Sequence, residues 1–356
     1  MSVQFSFGFS GDDIEEEDVT EVEGDGERGE GAAVGVERNG EGEVQRVEAC
    51  LSSLPSKISY STLKLESPKG RKLSIPRREL FDIRMQLMVE DGNDDSTPVT
   101  GLDESDIQTN VYEGGFKSWE CSIDLAKLLL DRGPRKDIDD LCRVDHVIEL
   151  GCGTAVPSLV LFHYALTQEL SIHFTLADYN AAVLRLVTLP NLLLMWAKTM
   201  PTTTTSPFSS ENPNPLLENA AGDLELSPEI LSAFQKAVTT QNLALTLISG
   251  SWMPTTRFLP LVVSAPDMNT LVLASETIYS PASLSAFTEV LVGILERVRI
   301  GKAMVAAKRI YFGVGGSVDA FKEEAAAKKA VAYEIENAEV GGGMGVKRCL
   351  MEVQMM

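Results

Sequence analysis

From about Gly114 onward, short apolar blocks alternate with longer stretches of helical character. The runs at 144–150, 172–177, 243–248, 270–274 and 303–307 are brief and largely apolar, as expected of strands covered by helices. The stretches at 122–130, 157–166, 181–198, 228–238, 282–298 and 318–329 predict the helices between them. Gly133-Pro134 is expected to stop the first helix, and Pro190 to kink or break the third. Pro157 is tolerable at a helix start, where the first-turn N–H has no partner within the helix. Segments 332–336 and 346–353 predict a terminal antiparallel hairpin. Strands and helices in alternation imply an α/β chain with a mostly parallel sheet.

The N-terminal third reads differently. Residues 11–48 are rich in Glu, Asp and Gly and too poor in apolar side chains to offset the entropy of ordering, so 1–56 is expected to be a disordered acidic arm. Ahead of that composition stand Phe5, Phe7 and Phe9 at alternate positions, a segment that would suit strand addition or a loose terminus. Residues 57–110 read as a loosely built lead-in, and 111–356 as the main domain. Within it, 200–227 is rich in Thr, Ser, Pro and Asn and predicts an inserted flexible loop.

Composition narrows the function classes. The formal charge is −21, and residues 1–50 hold 15 acidic and 3 basic residues. No basic face for nucleic acid is indicated. The acidic arm reads as a solvated tail, with attraction of a basic partner as the alternative. The five cysteines form no CxxC pair, and the three histidines lack metal spacing, so neither a zinc site nor a disulfide framework is expected. No leader or long uncharged apolar run stands out, which predicts a soluble intracellular protein.

The chemistry gathers at 147–157, VIELGCGTAVP. Gly151 and Gly153 between a strand and a helix permit a tight turn and close approach of a ligand to backbone N–H groups. A dinucleotide site wants a third small residue where Val156 stands, and Glu149 would repel a pyrophosphate. A carboxylate beside the turn suits a positively charged nucleoside such as S-adenosylmethionine. Asp178 ends the second strand about 25 residues after the turn, where an acidic side chain can take both ribose hydroxyls. The competing role for it is a helix N-cap. Gly250, Ser251 and Trp252 close the third strand, where the tryptophan borders an adenine ring or caps the core.

YEGGFKSWECSIDLA (112–126), ELGCGTAVPSL (149–159), DYNAAVLRLVTLPN (178–191), SETIYSP (275–281) and KRIYFGVGGSV (308–318) together resemble the histidine protein methyltransferases, within the seven-strand, Rossmann-like S-adenosylmethionine methyltransferases. The resemblance covers roughly 112–353. It implies that Trp119, Glu120, Cys121, Ser122 and Ile123 line the cofactor from outside the sheet and that Gly151 and Gly153 hold it. It further implies ribose and adenine contacts from Asp178, Tyr179, Asn180, Gly250, Ser251 and Trp252, and a contact from Ser275. Ser251 departs from the acidic residue expected beside the adenine, and Ala155 from a further glycine.

Neutral imidazole carries a lone pair near pH 7, so a histidine methyltransferase needs no strong base, only a group that accepts the other ring N–H. Glu276, next to Ser275, is the candidate; a structural partner for a neighbouring Arg or backbone group is the alternative. Tyr279, Tyr311, Phe312 and Gly313 are candidates for a substrate wall, with core packing the simpler reading of Phe312. Ser317 is placed to cap the following helix. The implied substrate is a large-subunit ribosomal protein, the one conventionally numbered three. A monomer located in cytoplasm and nucleus, with no membrane and no direct nucleic-acid contact, is expected. A lysine methyltransferase and a non-catalytic binding module of the same fold remain open alternatives.

Overall fold

The computed structural model describes residues 42–90, 107–108, 112–113, 115–136, 144–203, 206–335 and 346–356. The alternate phenylalanines at 5–9, most of the acidic arm and part of the lead-in lie outside them. Along the chain run β1 (Glu43–Gln45), α1 (Val47–Ser52), β2 (Lys57–Glu66), β3 (Lys72–Arg78), α2 (Leu80–Glu90), β4 (Ile107–Gln108), β5 (Tyr112–Glu113) and α3 (Glu120–Lys136). Then follow β6 (His146–Leu150), α4 (Val156–Thr167), β7 (His173–Asp178), α5 (Ala181–Thr199), α6 (Pro215–Glu218), β8 (Ala221–Glu225), α7 (Pro228–Thr240), β9 (Leu245–Ser249) and α8 (Thr255–Phe258). The chain closes with β10 (Thr270–Ser275), α9 (Pro281–Leu295), β11 (Gly301–Lys308), α10 (Val318–Ala327), β12 (Ala330–Glu334) and β13 (Arg348–Met355).

The main sheet has the order β1-β9-β7-β6-β10-β11-β13-β12. The central strands β9, β7, β6, β10 and β11 run parallel; β13 is antiparallel to both neighbours, as the terminal hairpin predicted. Strand order reverses between β6 and β10, and such a switch point opens a crevice at the strands' carboxyl ends. Every residue of β6 is buried, because helices cover both faces. One face carries Leu125, Phe162 and Trp196 in its core, the other Ile248, Phe287 and Phe321.

Three expectations change. The supposed arm is ordered from Gly42: Val44 pairs with Ile248 at the sheet edge, and α1 buries Cys50 and Leu51. Acidic composition, averaged over the arm, hides these few apolar anchors. The lead-in is a firm hairpin of β2 and β3 whose Ile58, Tyr60, Leu65 and Ile75 are buried. Arg78 bolts it to α5: its N–H donates to Asn191 Oδ1 at 2.8 Å and its Nη1 to the Leu186 carbonyl at 3.1 Å. The supposed flexible loop holds α6 and β8, and β8 completes the hairpin sheet, with Leu224 opposite Ile58. Asn214 secures it by donating to the Ala197 and Met200 carbonyls.

Two prolines act differently from expectation. The first long helix runs through Gly133-Pro134 to Lys136, since a proline removes one hydrogen bond without forbidding helical residues after it. Pro190 neither ends nor sharply breaks α5. A wide π-helical turn over Leu184–Thr188 precedes it, and α-helix resumes at Leu189–Thr199. This helix is long and apolar enough to cross a membrane, but 78% of its apolar window is buried within the protein.

His146 and His173 sit opposite each other on β6 and β7, their rings stacked at 4.5 Å. Burial pushes His146 down to about 3, with the His173 ring adding to the effect. A histidine whose folded pKa is depressed stabilises the protein above its unfolded value near 6.5, and that stability is lost as pH falls toward 3. Roughly 2 kcal/mol should therefore disappear between pH 6.5 and pH 5. Urea titrations of wild type and His146→Asn at the two pH values check this. Equal acid sensitivity of the two proteins would refute it.

Candidate active site

The crevice at the switch point is a cavity of about 370 Å³, within the usual range of small-molecule sites. Its floor is the glycine turn after β6. Gly151 and Gly153 have φ of +67° and +48°, a region that favours glycine. A Cβ on Gly151 would press on Thr277 Cγ2 at 2.9 Å, and one on Gly153 on the Gly115 carbonyl oxygen at 3.1 Å. Ala155, where a further glycine was expected, also adopts φ +56° and is fully buried. The departure is thus tolerated at the cost of a left-handed alanine.

Helix α5 clamps the turn from beneath. Thr188 Oγ1 donates to the Gly153 carbonyl at 2.7 Å, and Asn191 Nδ2 to the Thr154 carbonyl at 3.0 Å. Asp178, 8% exposed at the end of β7, faces the bend: its Oδ2 accepts the Gly153 N–H at 2.9 Å. Its Oδ1 accepts the Asn180 N–H at 3.2 Å. The N-cap role belongs to Asn180 instead, whose Oδ1 accepts the Ala182 N–H at 2.9 Å. Asn180 does not line the cavity.

Glu149 needs a correction as well. It is fully buried under the turn, and its Oε2 accepts the Ser158 N–H of α4 at 3.0 Å. Burial pushes its carboxyl up to about 8. At neutral pH it is therefore a mostly uncharged acid and no counter-charge for a ligand.

On the outer wall, Trp119 and Ser122 line the cavity while Cys121 is fully buried in the core and Ile123 packs against it. Helical spacing accounts for the split, since positions three apart share a face. Glu120 is exposed and reaches toward the far end, its Oε2 4.0 Å from Lys308 Nζ. Tyr179, Gly250, Ser251 and Trp252 border the cavity on the β9 side. Gly250 (φ +104°) donates its N–H to the Asp178 and Tyr179 carbonyls. Ser251 turns its hydroxyl to the Met253 N–H at 3.0 Å.

At the other end stand Ser275, Glu276, Tyr279 and Tyr311. Glu276 is held at φ +59°. Its Oε1 is buried without a hydrogen-bond partner among the described residues, 3.8 Å from Lys308 Nζ. Burial, and then the Glu276 carboxylate, raise the Tyr311 hydroxyl, so it stays a neutral phenol; it accepts the Lys308 N–H at 3.2 Å. Phe312 is neither core nor cavity wall: it is 79% exposed on the turn beyond Tyr311. Gly313 on the same turn is also outside the cavity. Ser317 caps α10 as expected, accepting the Ala320 N–H at 3.2 Å.

Sequence reasoning missed Lys308, Lys117, Thr154 and Thr277, all of which line the cavity. Lys308 opens the motif KRIYFGVGGSV and ends β11, the position that addresses the crevice in such sheets; that was the available signal.

A reversing parallel sheet, a glycine bend at the switch point and an acid at the second strand's end define a protein of the seven-strand methyltransferase class. No protein-family model matches the chain. Histidine protein methyltransferase 1 of Saccharomyces cerevisiae is 41% identical over 275 residues, covering 72% of this chain and 70% of that protein. Its Schizosaccharomyces pombe counterpart is 37% identical over 273 residues, covering 75% and 72%. Among solved structures, a glycopeptide N-methyltransferase, MtfA, aligns over 66% of this chain and 90% of its own at 10% identity, with a TM-score of 0.37. The chain belongs to the histidine protein methyltransferase family.

Proposed function

We propose that this protein transfers a methyl group from S-adenosylmethionine to an imidazole nitrogen of a histidine in a protein substrate. The observation that carries the reading is Glu276. A carboxylate oxygen with no hydrogen-bond partner among the described residues faces the cavity from a left-handed backbone position. Backbone strain of this kind persists where the surroundings over-determine it, and it collects at functional sites.

The residues fit that donor. The Gly153 N–H is already given to Asp178, so the turn offers it to no phosphate. Asp178 puts a carboxylate on the cavity wall, which favours a cationic nucleoside. Asp178 would hold the ribose and Trp252 would border the adenine. When bound, the donor supplies a methyl group on a positively charged sulfur, open to in-line attack. The chain's own task is positioning, which can supply about 7–11 kcal/mol of a barrier. Near pH 7 most imidazole is neutral and already carries its lone pair. Glu276 accepts the other ring N–H and so selects the tautomer, while Tyr279 and Tyr311 confine the ring.

The substrate we propose is the large-subunit ribosomal protein conventionally numbered three, met in cytoplasm and nucleus. The −21 charge of the chain supports a basic partner of this kind. Purified protein incubated with labelled donor and hypomethylated large-subunit proteins should label that protein on histidine. Label found only on lysine, or donor binding without any transfer, refutes the proposal. Glu276→Gln keeps an acceptor oxygen but loses the charge, so turnover should fall about tenfold with donor affinity unchanged. Full activity in this variant would dismiss the role given to Glu276.

A further inference from the structure

Lys308 has no role in the reading so far, yet it is central to the acceptor end. It is the last residue of β11 and lines the cavity with its side chain 22% exposed. Its Nζ lies 3.8 Å from Glu276 Oε1 and 4.0 Å from Glu120 Oε2. It also stands 5.1 Å from the Trp119 ring centroid and 6.0 Å from that of Tyr311. Lys117 approaches the Trp119 ring too, at 4.8 Å. The acceptor end therefore carries two cations against two carboxylates, and the carboxylate that faces the cavity is matched by an ammonium beside it.

We propose that Lys308 is a specificity-determining residue: its ammonium, between Glu276 and the face of Trp119, cancels the Glu276 charge and so admits an uncharged imidazole while disfavouring a lysine ammonium. The inference rests on the histidine reading of the site and deepens it. A carboxylate alone would attract any cationic side chain that reached the cavity. Paired with Lys308, Glu276 keeps a lone pair for a ring N–H but presents no net charge. A lysine acceptor must then enter as its neutral amine. With a pKa of about 10.4, only on the order of one molecule in 10³ is neutral at pH 7. Histidine, with a pKa near 6.5, is mostly neutral there and suffers no such penalty.

The test uses the full chain with tritiated donor and the total protein of a heat-inactivated, hypomethylated cell extract, in which both acceptor types abound. After acid hydrolysis, the methylhistidine to methyllysine ratio is measured for wild type, Lys308→Arg, Lys308→Met and Lys308→Gln. Calorimetry with S-adenosylhomocysteine reports whether each variant keeps the donor site. Wild type and Lys308→Arg should label histidine, with methyllysine at background. In Lys308→Met and Lys308→Gln the ratio should fall at least tenfold as methyllysine appears. An unchanged ratio in both uncharged variants overturns the proposal. So does loss of all transfer in both with donor affinity intact, which would make Lys308 part of the reaction rather than a filter. A wild-type protein that labels only lysine refutes the histidine reading itself, a failure visible before any substitution.

Discussion

Gly316→Ala is expected to lower turnover about 100-fold while changing donor affinity less than about threefold. The Gly316 N–H donates to the Tyr279 carbonyl at 3.0 Å, and its carbonyl accepts the Tyr311 N–H at 2.9 Å. Gly316 thus joins the two segments that carry the acceptor-side aromatics. A Cβ there would collide with the Ile278 carbonyl oxygen and stand 2.5 Å from the Tyr279 carbonyl carbon. Both obstacles are backbone, so no side-chain rotation relieves them. The loop must move outward by the order of an ångström, and misplacement on that scale can cost about 10² in rate. Gly315 is a weaker probe despite its φ of +89°, because a Cβ there would meet only Pro281 side-chain atoms at 3.5 and 3.6 Å. The proposed donor end lies elsewhere, at Gly151 and Gly153 after β6 and Asp178 at the end of β7. Single-turnover rates and calorimetry with S-adenosylhomocysteine separate the two effects. A Gly316→Ala protein with wild-type turnover would show that the Tyr311 turn does not shape the site.

Asp178→Ala should weaken donor binding by roughly 10²-fold, with much smaller effect on the fold. Two charge-assisted hydrogen bonds to ribose hydroxyls, at about 1.5 kcal/mol each, amount to about 3 kcal/mol. The same substitution frees the Gly153 N–H, now held by Oδ2, and loosens the bend that forms the floor. Asp178→Asn should lie between, since an amide oxygen can still accept from Gly153. Calorimetric affinities for the three proteins provide the measurement. Unaltered affinity in Asp178→Ala would remove the ribose assignment and, with it, the placement of the donor in this cavity.

Much of the sheet was legible because its strands are buried on both faces and therefore read as short apolar runs. The runs at 144–150, 172–177 and 270–274 reappear, with ends shifted by a few residues, as β6, β7 and β10. The glycine bend and Asp178 were legible for a similar reason: a glycine pair after one strand and an acid at the end of the next are local signals, and all three residues line the cavity. Glu149 was misread because its spacing from the turn says nothing about which way it points or how dry its surroundings are. Phe312 was misread in the opposite sense, since an aromatic in an apolar motif looks like core until the turn that exposes it is seen. The ordered 200–227 segment was hidden by its composition. Its strand pairs with one more than 150 positions earlier, as in the 2.6 Å bond from Ser59 to Asp223 across 164 residues.

The chain's pattern alone determined that this is a mostly parallel α/β protein with a glycine turn after one strand and Asp178 at the end of the next, because those features arise from neighbours in sequence. Only the tertiary structure decided what surrounds the acceptor. It joined Trp119 just before α3, Glu276 just after β10, Lys308 at the end of β11 and Tyr311 in the turn that follows, buried Glu149 until it lost its charge, and balanced Glu276 with an ammonium. Charge state and orientation depend on what packs around a group, and that is set by residues far apart along the chain.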